Sequence, residues 1–360
     1  MLSLIISLLY CQLFSIYEKI LDMADIKLSR KDRQFITGWN YFYSSDPDEL
    51  SEDRINEINN TDVNKKLARR YLMRSCKNIS TSTYVIPVSD GGAITGYYYS
   101  SPKISETAGL VPLIIFFHGG GWVFGNMDFY TIFLRHLASV TEAAILSIDY
   151  RLSPKYKFPI AIEDCYDAYT WAVKGAEYWK VDPDRIFIAG DSCGGNLAAS
   201  VALLARDRNQ QDIAGQILLY PLLDGRLRTQ SQMEFASTPT LNSKMLQFYI
   251  KSYAREPKDI LSSKFSPLLS QDLTRLPPTL LIAAEHDPLV DDAKLYDAAL
   301  KEAGGKSRLF VSKSSFHGYM PFKHATGREE TECLIKQFVA GRTLENLQFI
   351  THRELKYYSE

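Results

Sequence analysis

Ser192 stands in Gly190-Asp191-Ser192-Cys193-Gly194, between an apolar run, Ile186–Ala189, and a helix-like run, Asn196–Leu204. A serine in this G-x-S-x-G spacing, on a sharp turn from strand to helix, presents its hydroxyl at the end of the strand. Side chains on the flanking glycines would crowd so tight a turn. The helix that follows offers free N–H groups and the positive end of its dipole, both of which favour negative charge. Such a serine suits nucleophilic attack on a carbonyl carbon. The plainer reading is a glycine turn with an ordinary serine N-cap, and the pattern alone does not separate the two.

A second group of residues bears on the choice. The apolar run Leu113–Phe117 leads directly into His118-Gly119-Gly120-Gly121-Trp122. Consecutive glycines leave backbone N–H groups unshielded, as needed to stabilise the charge that develops on a carbonyl oxygen under attack. The H-G-G-G pattern after a buried strand and upstream of the serine turn is that of lipases and esterases. His118 reads as holding the loop rather than moving protons. Trp122 is a candidate substrate contact.

A serine hydroxyl needs a base within hydrogen-bond reach. Of the six histidines, His118 lies in the glycine loop, His136 inside a helical run and His352 in the polar tail. His286 directly precedes Asp287, and His324 falls shortly before the last helical run. The chain order Ser, acid, His selects a histidine after the last strand. His317, in Ser315-Phe316-His317-Gly318, fits. The acid should follow the preceding strand, where Glu285, Asp287, Asp291 and Asp292 are available. Asp287, followed by Pro288, is the best placed. Asp291 and Asp292 read as first-turn helix acids, and Glu285 is the runner-up.

The elements that must position these residues follow the same order. Thr83–Val88 and Ala93–Tyr99 read as a hairpin around Ser89–Gly92. Leu113–Phe117, Ala144–Ile148, Ile186–Ala189, Ile217–Tyr220, Thr279–Ala283 and Arg308–Val311 read as strands. Phe129–Val140, Ile160–Lys174, Asn196–Leu204, Ala293–Ala303 and Glu329–Val339 read as helices. This alternation predicts an α/β fold with a mostly parallel central sheet covered by helices on both faces. The stretch 224–266 breaks the alternation, being polar, helix-prone and without a strand. With residues 1–80, of which Asp25–Lys77 read as helical and charged, it reads as a cap on the sheet edge. The division is thus 1–80 as an N-terminal cap segment, 81–223 and 267–342 as the core, 224–266 as the cap insertion and 343–360 as a polar tail. Phe35, Trp39 and Phe42 recur at helical spacing and read as core packing.

The composition is that of an ordinary globular chain: 360 residues, 46% hydrophobic, net charge −1. Balanced charge gives no reason for a nucleic-acid partner. Five scattered cysteines, Cys11, Cys76, Cys165, Cys193 and Cys333, form no C-x-x-C pair, which argues against zinc or a disulfide framework and fits a reducing, cytoplasmic setting. Met1–Tyr17 is apolar but interrupted by Gln12 and serines, short of the roughly 20 residues a membrane span requires. An N-terminal anchor is the alternative location, and Met23 an alternative start. Asn59-Asn60-Thr61 and Asn78-Ile79-Ser80 match the glycosylation sequon.

Taken together, these motifs resemble the hormone-sensitive-lipase-like carboxylesterases, the H-G-G-G branch of the α/β-hydrolase fold. The resemblance runs through 118–122, Asp149-Tyr150-Arg151-Leu152-Ser153-Pro154, Phe158-Pro159, 190–195, Asp287-Pro288-Leu289 and Phe316-His317-Gly318. It implies a Ser192, Asp287 and His317 triad, oxyanion donors at the N–H groups of Gly120, Gly121 and Cys193, and a helical cap. Cys193 stands where that family commonly has Ala, and only its backbone should be needed. The expected activity is hydrolysis of short- to medium-chain carboxylic esters through an acyl-enzyme, without metal or cofactor. The expected partner is a small acyl ester, and a homodimer is compatible with the sequence. Two alternatives use the same fold: deacylation of amides or formamides, and ligand binding without catalysis. Plant gibberellin receptors resemble this family but lose the catalytic histidine, which is present here.

Overall fold

The computed structural model describes residues 29–42, 46–61, 71–72, 76, 78–101, 109–210 and 213–348. The expectations for Met1–Tyr17, Met23, Cys11 and His352 lie outside them. Eight strands form one sheet in the order β1-β2-β4-β3-β5-β6-β7-β8. They are β1 (Ser80–Pro87), β2 (Ala93–Ser100), β3 (Val111–Phe117), β4 (Ala144–Asp149), β5 (Val181–Asp191), β6 (Gly215–Leu219), β7 (Thr279–His286) and β8 (Ser307–Phe316). β1 and β2 are the hairpin, and β2 runs antiparallel to β4. All pairings from β4 to β8 are parallel.

The uninterrupted apolar runs follow from burial on both faces. In β3, Leu113, Ile115 and Phe117 enter one core, while Ile114 and Phe116 enter the other. The period-two alternation therefore sorts apolar residues between two cores instead of between core and water. The helices in chain order are α1 (Arg30–Phe42), α2 (Glu52–Asn59), α3 (Met127–Thr141), α4 (Ile160–Gly175), α5 (Cys193–Asp207), α6 (Gln230–Glu234), α7 (Ser243–Tyr253), α8 (Val290–Glu302) and α9 (Arg328–Val339). α4, α5 and α8 bury residues such as Ala168, Leu197 and Tyr296 in the first core. α1, α3 and α9 bury Phe35, Phe133 and Leu334 in the second.

Several boundaries differ from the sequence expectation, each for a local reason. α5 begins at Cys193, not Asn196, because Gly194 and Gly195 are already helical. α8 starts at Val290, so Asp291 and Asp292 do occupy its first turn. β8 runs on to Phe316, through Ser314 at φ 54°. The stretch 224–266 carries α6 and α7 and, among its described residues, no strand. Among the described residues no helix is long and apolar enough to cross a membrane.

Candidate active site

The turn at Ser192 is built by close approach. Ser192 has φ 57° and ψ −120°, a region an L-residue occupies only when its surroundings enforce it. A Cβ on Gly190 would lie 2.2 Å from the Gly194 carbonyl oxygen, and no side chain fits there. The Ser192 N–H donates to the Leu219 carbonyl at 2.9 Å, tying the turn to β6. Ser192 holds the N-cap position of α5 but its hydroxyl makes no capping bond. The hydroxyl goes elsewhere: His317 Nε2 lies 2.9 Å from Ser192 Oγ.

His317 follows the last residue of β8, and Asp287 follows the last residue of β7. With Ser192 just past β5, three strands deliver three side chains to the same carboxyl edge of the sheet, where open α/β sheets bind ligands. His317 Nδ1 lies 2.7 Å from Asp287 Oδ2. Asp287 is fully buried, and its other oxygen accepts from the Leu289 N–H at 2.9 Å. A carboxylate has no proton to give, so Nδ1 carries the hydrogen and Nε2 is left to accept from the serine. Tyr220 packs edge-on against the imidazole at 5.0 Å and Trp39 at 6.3 Å.

The glycine loop faces this trio. Gly121 has φ 63°, and a Cβ there would fall 2.1 Å from the Tyr249 ring. Among the described residues none accepts from the N–H of Gly120 or of Cys193. Ser192, His317, Gly120 and Gly121 line a narrow cleft, walled by Trp39, Phe129, Tyr130, Leu241, Tyr249 and Phe322.

The chain as a whole is similar to known proteins. A family model described as the alpha/beta hydrolase fold matches residues 114–321. An arylesterase of Saccharolobus solfataricus is 35% identical over 209 residues, 58% of this chain and 68% of the relative. A carboxylesterase of Mycobacterium tuberculosis is 35% identical over 229 residues, 61% of this chain and 72% of the relative. A hyperthermophilic esterase from Pyrobaculum calidifontis superposes with a TM-score of 0.75 at 30% identity, covering 87% of this chain and 98% of that one. The chain belongs to the hormone-sensitive-lipase-like carboxylesterases of the α/β-hydrolase fold.

In this carboxylesterase the remaining candidates find distinct places. His118 is fully buried and stacks on Tyr150 at 4.2 Å, with Nδ1 2.8 Å from the Gly119 carbonyl. Burial pushes its pKa down to about 4, so it stays neutral and braces the loop. Asp191 accepts from the Gly119 N–H at 2.8 Å and the Tyr130 hydroxyl at 3.2 Å. Burial pushes its carboxyl up to about 6. Glu285 is turned away from His317 toward Lys313 Nζ and the Ser314 N–H. Asp292 is buried and accepts from the Leu223 and Asp224 N–H groups.

Trp122 requires a correction. It does not line the cleft; it is fully buried, stacked on Tyr253 at 4.4 Å and tilted against Phe265. Its φ of 60° turns the side chain into the core beneath α7. Cys193 also does more than a bare backbone would. Its buried sulfur accepts from the Trp122 N–H at 3.1 Å and lies 3.8 Å from the Tyr150 hydroxyl. Burial pushes the thiol up to about 12, so it is no rival nucleophile.

Three contributors carry no motif. Trp39 belongs to a helical aromatic stripe that reads as core, and it also walls the cleft. Tyr249 reaches the cleft from the insertion. Asn59, a sequon residue by pattern, donates to the Val123 carbonyl and accepts from the Gly125 N–H, pinning the chain just past the glycine loop.

Proposed function

We propose that Ser192, His317 and Asp287 carry the ester hydrolysis of this carboxylesterase. The observation that carries the reading is one hydrogen-bonded line, Asp287–His317–Ser192, at 2.7 and 2.9 Å, ending on a serine whose hydroxyl is not used as a helix cap.

His317 Nε2 takes the Ser192 proton as the oxygen attacks the ester carbonyl. The N–H groups of Gly120, Gly121 and Cys193 stabilise the oxyanion, and Asp287 steadies the imidazolium. The imidazolium then protonates the departing alcohol. Water, deprotonated by the same imidazole, releases the acid from the acyl-enzyme.

The substrate reading is a short- to medium-chain acyl ester. Trp39 from α1 and Leu241 and Tyr249 from the insertion wall the cleft, so α1 and the insertion act together as a cap that limits acyl length. A p-nitrophenyl ester series tests this. Turnover should peak at acetyl to hexanoyl esters, and a preference for long acyl chains would overturn it. A fluorophosphonate should label Ser192. An unlabelled, folded protein would favour the non-catalytic reading instead.

A further inference from the structure

Outside the residues that line the cleft, a thiol, an imidazole and a carboxylate stand in line. His136 Nδ1, on α3, lies 4.0 Å from Cys76 Sγ, and His136 Nε2 lies 3.2 Å from Glu332 Oε1 on α9. Arg328 Nη1 lies 2.6 Å from the same carboxylate oxygen and 3.3 Å from His136 Nε2. Arg135 donates from Nε and Nη2 to the Cys76 carbonyl, at 3.2 and 2.7 Å, which fixes the cysteine backbone. Among the described cysteines, Cys165, Cys193 and Cys333 are buried, whereas Cys76 is partly exposed. His136 is partly exposed as well.

His136 Nε2 faces both a donor, Arg328 Nη1, and an acceptor, Glu332 Oε1. With the hydrogen on Nε2 it goes to Glu332, and the Nδ1 lone pair faces the thiol. Arg135 and Arg328 add positive charge, and Glu329, paired with Arg328, is the other acid facing the cluster. The two guanidiniums are balanced by two carboxylates, so it is the neighbouring imidazole and the partial exposure of Cys76 that favour reaction.

We propose that Cys76 is a modification site that exchanges with small disulfides, with His136 as its base and Glu332 holding His136. The thiol proton passes to His136 Nδ1, and the Cys76 sulfur attacks one sulfur of the disulfide. The old S–S bond breaks, a mixed disulfide forms on Cys76, and the departing thiolate takes the proton from His136.

An unaided thiol is only a few per cent ionised near neutral pH. A neighbouring base can therefore accelerate exchange by roughly tenfold or somewhat more before the thiol is fully ionised. The test incubates the full-length protein with oxidised glutathione between pH 6 and 9 and follows Cys76 by peptide mass mapping, which separates it from Cys11. The expected result is one glutathione on Cys76, formed roughly tenfold slower in His136→Ala and slower in Glu332→Gln. Esterase activity of each variant reports that it has folded, and Glu332→Gln carries the test if His136→Ala does not fold. No adduct on Cys76, or equal rates in wild type and variants, would overturn the proposal. Equal rates are what the opposite tautomer gives, with Nε2 accepting from Arg328 and no base left for the thiol.

Discussion

The two imidazoles His317 and His136 sit in matching sequences of groups and in unlike surroundings. Each has a nucleophile on one nitrogen and a carboxylate on the other. At His317 the contacts are 2.9 and 2.7 Å, the carboxylate is fully buried, and glycine amides face the nucleophile. At His136 they are 4.0 and 3.2 Å, and a guanidinium competes for the same nitrogen. A nucleophile, base and acid in line are thus not enough to make a hydrolase. What separates the two is the strained elbow and the oxyanion donors, which the β5–α5 junction and the glycine loop supply, and the enclosing aromatic wall, which α1, α3 and the insertion supply.

The comparison breaks most sharply at the nucleophiles. Ser192→Ala should reduce kcat by roughly four to six orders of magnitude with the fold intact, whereas Cys76→Ser should leave ester hydrolysis near wild type. Asp287→Asn should cost roughly 10⁴-fold, because its oxygen stays on the Leu289 N–H while its NH2 donates to His317 Nδ1 and moves the imidazole hydrogen to Nε2. Glu332→Gln should leave kcat unchanged. Steady-state kinetics on p-nitrophenyl acetate reads all four, and a Cys76 effect as large as that of Ser192 would erase the distinction.

The oxyanion loop is the next lever. In Gly121→Ala the new methyl meets the Tyr249 ring at 2.1 Å, on a backbone with φ 63°. The loop must move, and kcat should fall by roughly a hundredfold or more, the usual cost of a lost oxyanion donor. Cys193→Ala is a finer probe. It keeps the amide and removes the sulfur that accepts from the Trp122 N–H. One lost hydrogen bond of about 1 kcal/mol corresponds to roughly a fivefold fall in kcat, with KM little changed. Cys193→Ser should restore most of it. An unaltered kcat in Cys193→Ala would return the side chain to the bystander role that its sequence position suggests.

Much of the core and of the cleft floor was legible in the sequence because both are local. Leu113–Phe117 and Ile186–Ala189 are apolar on consecutive residues, as doubly covered strands must be, and the motifs around Ser192 and Gly120 lie at strand ends. The walls were not legible. Trp39 shares its helical spacing with Phe35, which is core, and one turn of α1 decides which of them meets the cleft. Trp122 looked available because it adjoins the glycines, but its positive φ reverses the chain direction and sends the ring inward. Cys76, His136 and Glu332 come from three separate segments, and no spacing marks three residues that only packing of α3 on α9 brings together.

A third imidazole sharpens the comparison through stability instead of rate. His118 is fully buried and held neutral, with its pKa down to about 4 from 6.5. The unfolded chain takes up that proton below about pH 6.5, and the fold refuses it until about pH 4. Its contribution is therefore complete above pH 6.5 and lost as pH falls toward 4, a change of about 3 kcal/mol. Asp191 works in the opposite sense. With its carboxyl raised to about 6 from 3.8, the fold keeps a proton that the unfolded chain has released, and stability declines as pH rises through that window. The two partly cancel in the wild type between pH 4 and 6, so the slope must be read as a difference between proteins. His118→Asn removes the titration while keeping a donor for the Gly119 carbonyl. It should be less stable at pH 7, having lost the stack on Tyr150, yet lose less stability on going from pH 6.5 to 4.5. Urea unfolding at both pH values measures this. Equal losses in the two proteins would mean that His118 takes up its proton in the fold as readily as in the open chain, and that the loop it braces is open to water.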